Sequence, residues 1–363
     1  MIITFRLKTL WYSFRHCRVP DNAENIDRLT KIVAASRLCV TPMTMYSVTI
    51  GALLAWILTS TFNYVLYLAI LIGFTASHLL DNLVNDYYDY KRKIDDPEYF
   101  RALYGPHPFI DSIITRNDLN MVIILIGLYD IILTVYLTLT VSPWIAVLAV
   151  MGGLIILGYA GIGFDVKRSG LGEILVAAVW GPVMIGGTVI AMTGSHPLYL
   201  LLIYLPYSLA VSLVLIGKHM DKYPSDIEKK VYTLPVRLGL HNTRKLAVIL
   251  ALILPITGFI SIYYYYPLPY AGIILLTLGT SIVASEILLK PKPANPPKKW
   301  EVWPLWYVAA TYAVMDSLGR TTTTALLAVG LYYSSHSTIA LAIVFMDALW
   351  EIIASSTIYR ISK

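Results

Sequence analysis

Of the chain's 363 residues, 57% are hydrophobic and only 14% are charged, against about a quarter charged in a typical soluble domain. Its 27 tyrosines swell the hydrophobic share, but a mean hydropathy of +0.66 excludes an ordinary water-soluble enzyme and points to an integral membrane protein. The formal net charge is +6, and Cys17 and Cys39, the latter in an apolar run, provide neither a disulfide framework nor metal-ligand spacing.

In chain order, residues 1–36 come first as a basic, aromatic segment. Arg6, Lys8, Arg15 and Arg18 interrupt its apolar runs, so no secretory signal core forms. Phe5, Trp11, Tyr12 and Phe14 among those charges suit a segment lying on the membrane surface. No stacking or groove-reading element accompanies the basic residues, and no nucleic-acid partner is expected.

A spanning helix needs about 20 mostly apolar residues. Such runs cover 38–58, 62–84, 119–140, 144–160, 171–192, 198–217, 246–263, 269–288 and 302–318, and a weaker stretch follows over 322–357. The expected fold is an all-α, polytopic membrane helix bundle of nine spans, or ten if the last stretch also crosses. Lys and Arg gather in 1–37, 85–118, 161–170, 218–245 and 289–301, whereas the alternate connections at 59–63, 140–143, 193–197 and 264–269 hold none. By the positive-inside rule, the N-terminus and every second connection are cytoplasmic. Beyond residue 301 the same rule puts Arg320 outside and returns Arg360 and Lys363 inside. KPKPANPPKK at 290–299 is a stiff, non-helical linker. The expected organisation is an interfacial segment over 1–36, a membrane domain over 37–320 and a C-terminal membrane segment over 321–363.

Two acidic clusters stand at the ends of predicted spans. Asp81, Asn85 and Asp89 are four residues apart, so on a continuing helix they share one face; Asp95 and Asp96 follow where the helix must stop before Pro97. Oxygen ligands in this pattern suit Mg2+, which bridges carboxylates to phosphate oxygens. The second cluster follows the sixth span. Pro224 ends the helix after Asp221, Ser225 and Glu228 read as a capping box, and Asp226 lies in the first turn of the new helix. By the topology above, both clusters leave the membrane on the cytoplasmic side and face one cavity. Asp130, inside the third span, is a further candidate because a carboxylate at membrane depth is costly; a hydrogen-bonded packing role is its alternative.

With these residues in view, the chain resembles the UbiA superfamily of intramembrane prenyltransferases. NDYYDYKRKID at 85–95 is similar to the first aspartate-rich motif of that superfamily, and DIEKKVYTLPVRLG at 226–239 to the segment carrying its second. YAGIGFDVKRSGLGE at 159–173, GPVMIGGT at 181–188 and VWPLWYVA at 302–309 resemble the branch that includes 1,4-dihydroxy-2-naphthoate polyprenyltransferases of menaquinone (quinone) biosynthesis. The likeness covers about residues 30 to 320. Three positions depart from it: Lys93 stands where glycine is common, Lys222 where the second motif usually has Asp, and Arg37 lacks the usual following proline.

The resemblance implies a polyprenyltransferase with Mg2+ as cofactor. It would transfer a polyprenyl group from an allylic polyprenyl diphosphate to an aromatic quinone precursor such as 1,4-dihydroxy-2-naphthoate, releasing diphosphate. Geranylgeranylglyceryl phosphate and a haem or chlorin are the alternative acceptors, so the partners are polyprenyl diphosphate, a small aromatic or lipid acceptor, and membrane lipid. Asn85, Asp86, Asp89, Asp95, Asp221 and Asp226 are the expected metal ligands. Asp89, Asp221 and Asp226 are the expected catalytic residues, with Asp221 or Asp226 taking the acceptor's proton. Arg37, Lys167, Lys218 and Lys222 are expected on the diphosphate, and Tyr159, Trp180, Tyr204 and Tyr207 on the allylic cation. From another class, a transporter or cation channel would use Asp130 as a relay and the acidic clusters as a vestibule, although transporters usually show repeats or broken helices near the midplane.

Overall fold

The structure is a computed structural model that describes residues 2–17, 19, 26–103, 107–160, 162, 169–297 and 300–362; no strand occurs among them. Two helices precede the membrane, α1 (Ile2–His16) and α2 (Arg28–Ala35). The spans begin with α3 (Pro42–Thr59) and α4 (Tyr64–Lys91). After the short α5 (Phe100–Leu103) come α6 (Arg116–Thr140) and α7 (Trp144–Tyr159). Next are α8 (Gly172–Thr193) and α9 (Leu200–Asp221), followed by the short α10 (Tyr223–Glu228) and α11 (Leu234–Leu238). The chain finishes with α12 (Leu240–Tyr263), α13 (Leu268–Leu289), α14 (Tyr307–Tyr333) and α15 (Ser337–Ser362).

Eight of the described helices are long and apolar enough to cross a bilayer. The shorter α7 and the polar-striped α14 complete ten elements over the predicted runs. The weak stretch near the C-terminus resolves into the end of α14 and all of α15, so the boundary expected between 320 and 321 falls inside one continuous helix. The Pro-rich stretch is non-helical at its described residues, 290–297.

Helix α9 is apolar on nearly every side and lies at the centre of the core, packed by α14, α12, α8 and α3. Gly217 lets α9 and α14 touch: a Cβ there would lie 2.2 Å from Thr311 Oγ1 and 2.9 Å from the Tyr307 carbonyl oxygen. Helices α6 and α7 lie outside this core, exposing Ile124, Ile132, Leu139, Val150 and Leu154 in the manner of lipid-facing surface. In α8, Pro182 removes one backbone donor and the helix widens to π geometry over Val179–Gly186, which sets the direction of Trp180.

The Lys- and Arg-rich connections meet one another, as their alternation along the chain requires. Arg15 pairs with Glu301 at 3.1 Å, Arg92 donates to the Ala160 carbonyl at 2.9 Å, and Lys292 meets Asp221 at 3.1 Å. Lys229 also pairs with Asp96, and Arg28 with Asp118. Cys17 and Cys39 are joined as a disulfide, a pairing that two lone cysteines in the sequence had not indicated; it ties the end of α1 to the turn before α3.

Arg320 lies in mid-α14 and not in an outer connection. Its guanidinium pairs with Asp347 and Glu351 of α15, while Thr280 and Ser317 each donate to Glu351 at 2.6 Å. A cation neutralised inside the bundle no longer acts as a topology signal. Arg320→Met is therefore expected to cost about 3–5 kcal/mol, the usual effect of stripping a buried pair of one partner. Thermal unfolding in detergent reads this, and the triple replacement Arg320→Met, Asp347→Asn, Glu351→Gln is expected to recover most of the loss.

Candidate active site

At 1.5 Å per residue, the 28 residues of α4 extend about 42 Å, well beyond a hydrocarbon core of about 30 Å. The surplus carries the first acidic cluster. Helical spacing lines up Ser77, Asp81 and Asn85, with His78 and Asn82 beside them, on the wall of a cavity of about 730 Å3 between α3, α4, α6, α7, α8 and α9. Most of the lining is aliphatic; Arg37 and Lys218 join Asp81 and Asn85 among its polar residues, together with Tyr159 and Trp180. Asn85 is 5% exposed, and its side-chain oxygen has no hydrogen-bond partner. Arg37 is also buried, with Nε unpartnered. A hard oxygen acceptor and a guanidinium donor are thus open to a ligand in the same cavity. Asp81, Asn85 and Asp89 form a donor set suited to Mg2+.

Asp86, expected among the metal ligands, points elsewhere. It is fully buried; Arg37 takes one carboxylate oxygen, and Arg101 donates to the other through Nε at 3.1 Å and Nη2 at 2.9 Å. Both oxygens are committed, so Asp86 fixes two arginines where it was expected to hold an ion. Helix α4 then ends in a tight turn. Lys93 adopts a left-handed φ of 57°, and the Asp89 carbonyl accepts from the backbone N–H of Ile94 (2.9 Å) and Asp95 (3.2 Å). Glycine takes this conformation at lowest cost, which accounts for the residue usual at this position. The turn folds Asp95 back toward Asp89, and His107 then orients Asp95. His107 Nδ1 accepts from the backbone N–H of Phe109 and Ile110, both at 3.2 Å, so the proton sits on Nε2 and is donated to Asp95 Oδ2 at 3.1 Å. Burial outweighs the nearby carboxylate and holds this imidazole below its ordinary pKa. Ligand atoms of Asp86, Asp95 and His107 lie within 4.8 Å of one another, close enough to share a cation; here the arginines hold both Asp86 oxygens and His107 holds Asp95 Oδ2.

The second cluster lies on the same side and meets the first. Tyr99 OH donates to Asp226 Oδ1 at 2.7 Å, across 127 residues of sequence, and Thr233 donates to Asp226 Oδ2 at 3.0 Å. Asp221 Oδ2 accepts the backbone N–H of Trp306 and Val308, each at 2.9 Å, with Lys292 on its other oxygen. Asp221 therefore anchors the start of α14, which its expected roles as metal ligand and base did not foresee. The expected capping box is also absent. Helix α10 starts earlier, at Tyr223, with Pro224 in its first turn and no side-chain cap, because proline needs no N–H partner there. Asp226 does lie in the first turn. Lys222 is 4% exposed, 3.7 Å from Asp226. Burial pulls its ammonium pKa down, but Asp226, Asp95 and Asp89 more than offset this and hold it above the ordinary lysine value.

Among the expected cation-stabilising aromatics, Tyr159 and Trp180 line the cavity, with Trp180 edge-on to His78 at 5.0 Å. Tyr204 and Tyr207 do not. Tyr204 bonds His196 at 3.1 Å, and Tyr207 donates to the Met43 carbonyl at 2.8 Å within the core. Helical phase turns Tyr207 toward α3 and α14 and Tyr204 toward α8, so both are packing residues. Lys167 lies outside the described residues. Asp130 lines the cavity and accepts from Ser77 at 2.5 Å, one turn from Asp81 on α4.

Arg101, His107 and Tyr99 carried no motif signal; only the buried carboxylates they serve could have pointed to them.

Comparison with known proteins agrees with this arrangement. The profile of the UbiA prenyltransferase family matches residues 44–306. A curated relative from Dictyostelium discoideum, UbiA prenyltransferase domain-containing protein 1, is 24% identical over 223 residues, 60% of this chain; the matched stretch spans 66% of that relative's length. A solved structure of a digeranylgeranylglyceryl phosphate synthase in membranes has the same fold, with a TM-score of 0.55 at 18% identity over 82% of this chain and 98% of the other.

Proposed function

The chain belongs to the UbiA prenyltransferase family, and from that premise we propose that it transfers a polyprenyl group from an allylic polyprenyl diphosphate to an aromatic quinone precursor of the 1,4-dihydroxy-2-naphthoate type. It is an integral membrane prenyltransferase, which removes the transporter and channel reading. The observation that supports the substrate most is a mostly apolar cavity of about 730 Å3 with a buried, unpartnered amide oxygen on Asn85 and a buried, unpartnered guanidinium N–H on Arg37. An aliphatic tail fits the first feature and a metal-bound diphosphate the second.

In this reading Arg37 and Lys218, both on the cavity lining, bind the diphosphate, with Asp86 and Arg101 holding Arg37 in place. Asp81, Asn85 and Asp89 would hold Mg2+, which when bound supplies Lewis-acid neutralisation of the leaving group. The C1–O bond breaks with its electron pair leaving on the diphosphate. Trp180 and Tyr159 present ring faces to the allylic cation, and the aliphatic lining excludes water that would intercept it. The acceptor's π pair forms the new bond to C1, and the displaced proton passes to an oxygen of the departing diphosphate. Asp130 and Ser77, one turn deeper, orient the acceptor. By the positive-inside rule this face is cytoplasmic, with α1 on the inner membrane surface. Residues 1–36 serve as that interfacial segment, and the helices after residue 306 brace the site through Asp221.

The test is a reconstituted assay with radiolabelled geranylgeranyl diphosphate and either 1,4-dihydroxy-2-naphthoate or geranylgeranylglyceryl phosphate. Diphosphate release is expected with the naphthoate and is expected to stop when EDTA removes Mg2+. Release with only the glyceryl phosphate would reassign the acceptor, and release with neither would overturn the proposal.

A further inference from the structure

Lys222 is a buried charge with no part in the mechanism proposed for the first cluster. Lys222 follows the last residue of α9, and its ammonium lies 3.7 Å from Asp226 Oδ1 and 4.6 Å from the centre of the Tyr99 ring. The negative charges of Asp89 and Asp95 in the first cluster also favour the charged ammonium. Lys218, one helical turn earlier, lines the cavity. Lys222 thus stands at the seam of the two clusters, beside the diphosphate end of the cavity.

The carboxylates of the second cluster are meanwhile committed to the protein. Asp226 accepts from Tyr99 and Thr233 in addition to Lys222, and Asp221 accepts two backbone N–H groups and meets Lys292. A divalent ion recruited here would have to displace these donors and then sit close to a fixed positive charge. Coulomb repulsion at that range, in a site screened from water, opposes it.

We propose that the Lys222 ammonium is the cation that the second cluster presents to the diphosphate, so that the loaded site holds one divalent ion, on the Asp81, Asn85 and Asp89 face, and not two. This rests on the diphosphate reading above. Asp226 and Tyr99 act as positioning residues that keep the ammonium at the seam.

The test counts metal ions directly. Purified protein in detergent is saturated with geranylgeranyl thiolodiphosphate, an unreactive analogue, and bound Mn2+ is measured by electron paramagnetic resonance and equilibrium dialysis. One Mn2+ per chain is expected for the native protein and for Lys222→Arg, and two for Lys222→Asp, whose carboxylate would recruit a second ion. Lys222→Met is expected to bind the analogue at least tenfold more weakly at saturating Mn2+. If Lys222→Asp does not fold, the native count and the Lys222→Met affinity decide the matter. Two Mn2+ in the native protein, or unchanged analogue affinity in Lys222→Met, would overturn the role of Lys222 while leaving the diphosphate reading intact. Analogue binding that ignores Mn2+ altogether would overturn that reading and this proposal with it.

Discussion

Asn85→Leu is expected to lower prenyl transfer about a hundredfold while leaving the melting temperature unchanged or slightly raised. The two effects separate because the Asn85 oxygen is buried and bonded to nothing in the protein. An unsatisfied buried acceptor costs about 1–3 kcal/mol, so an isosteric apolar side chain removes a burden from the fold. The same change deletes an oxygen from the donor set facing the cavity, and even outer-shell changes at metal sites cost about 10–100-fold. Initial rates over a range of Mg2+ concentrations, beside a thermal melt, check both halves. A melting temperature that falls together with activity would mean that Asn85 serves the fold instead.

Asp86→Ala is expected to act in the opposite sense, on stability first. Its carboxylate is fully buried between Arg37 and Arg101, both themselves buried. Removing it leaves two guanidinium groups without their counter-charge, for which about 3–5 kcal/mol is the usual loss. Folded yield after detergent extraction is expected to collapse. The triple variant Arg37→Met, Asp86→Leu, Arg101→Met replaces the ionic knot with apolar volume and is expected to recover stability. It should still fail to bind polyprenyl diphosphate, because Arg37 Nε is one of the donors facing the cavity. A triple variant with normal substrate affinity would show that the knot is structural only.

These two neighbours show where sequence reading stops. Asn85 and Asp86 are adjacent in one motif, and the resemblance to the family's first motif places both among metal ligands. Helical phase separates them: Asn85 faces the cavity, and Asp86 faces Arg37 and the short α5 that carries Arg101. A helix of four residues shows no periodicity in sequence, so its approach could not be read in advance. Tyr204 and Tyr207 met the same limit, since an amphipathic tyrosine on a helix apolar all round carries no mark of which side faces the cavity.

What the sequence determined by itself was the membrane bundle, its alternating charge and the acidic helix end of α4, because apolar length, loop charge and i, i+4 spacing are properties of short stretches of chain. Tertiary structure alone decided which carboxylates remain available: Arg37 and Arg101 occupy Asp86, the backbone of α14 occupies Asp221, and Tyr99, Thr233 and Lys222 surround Asp226. Availability depends on which donors arrive from elsewhere in the chain, often from 80 or more residues away, and a buried oxygen takes whatever partner packing brings within about 3 Å.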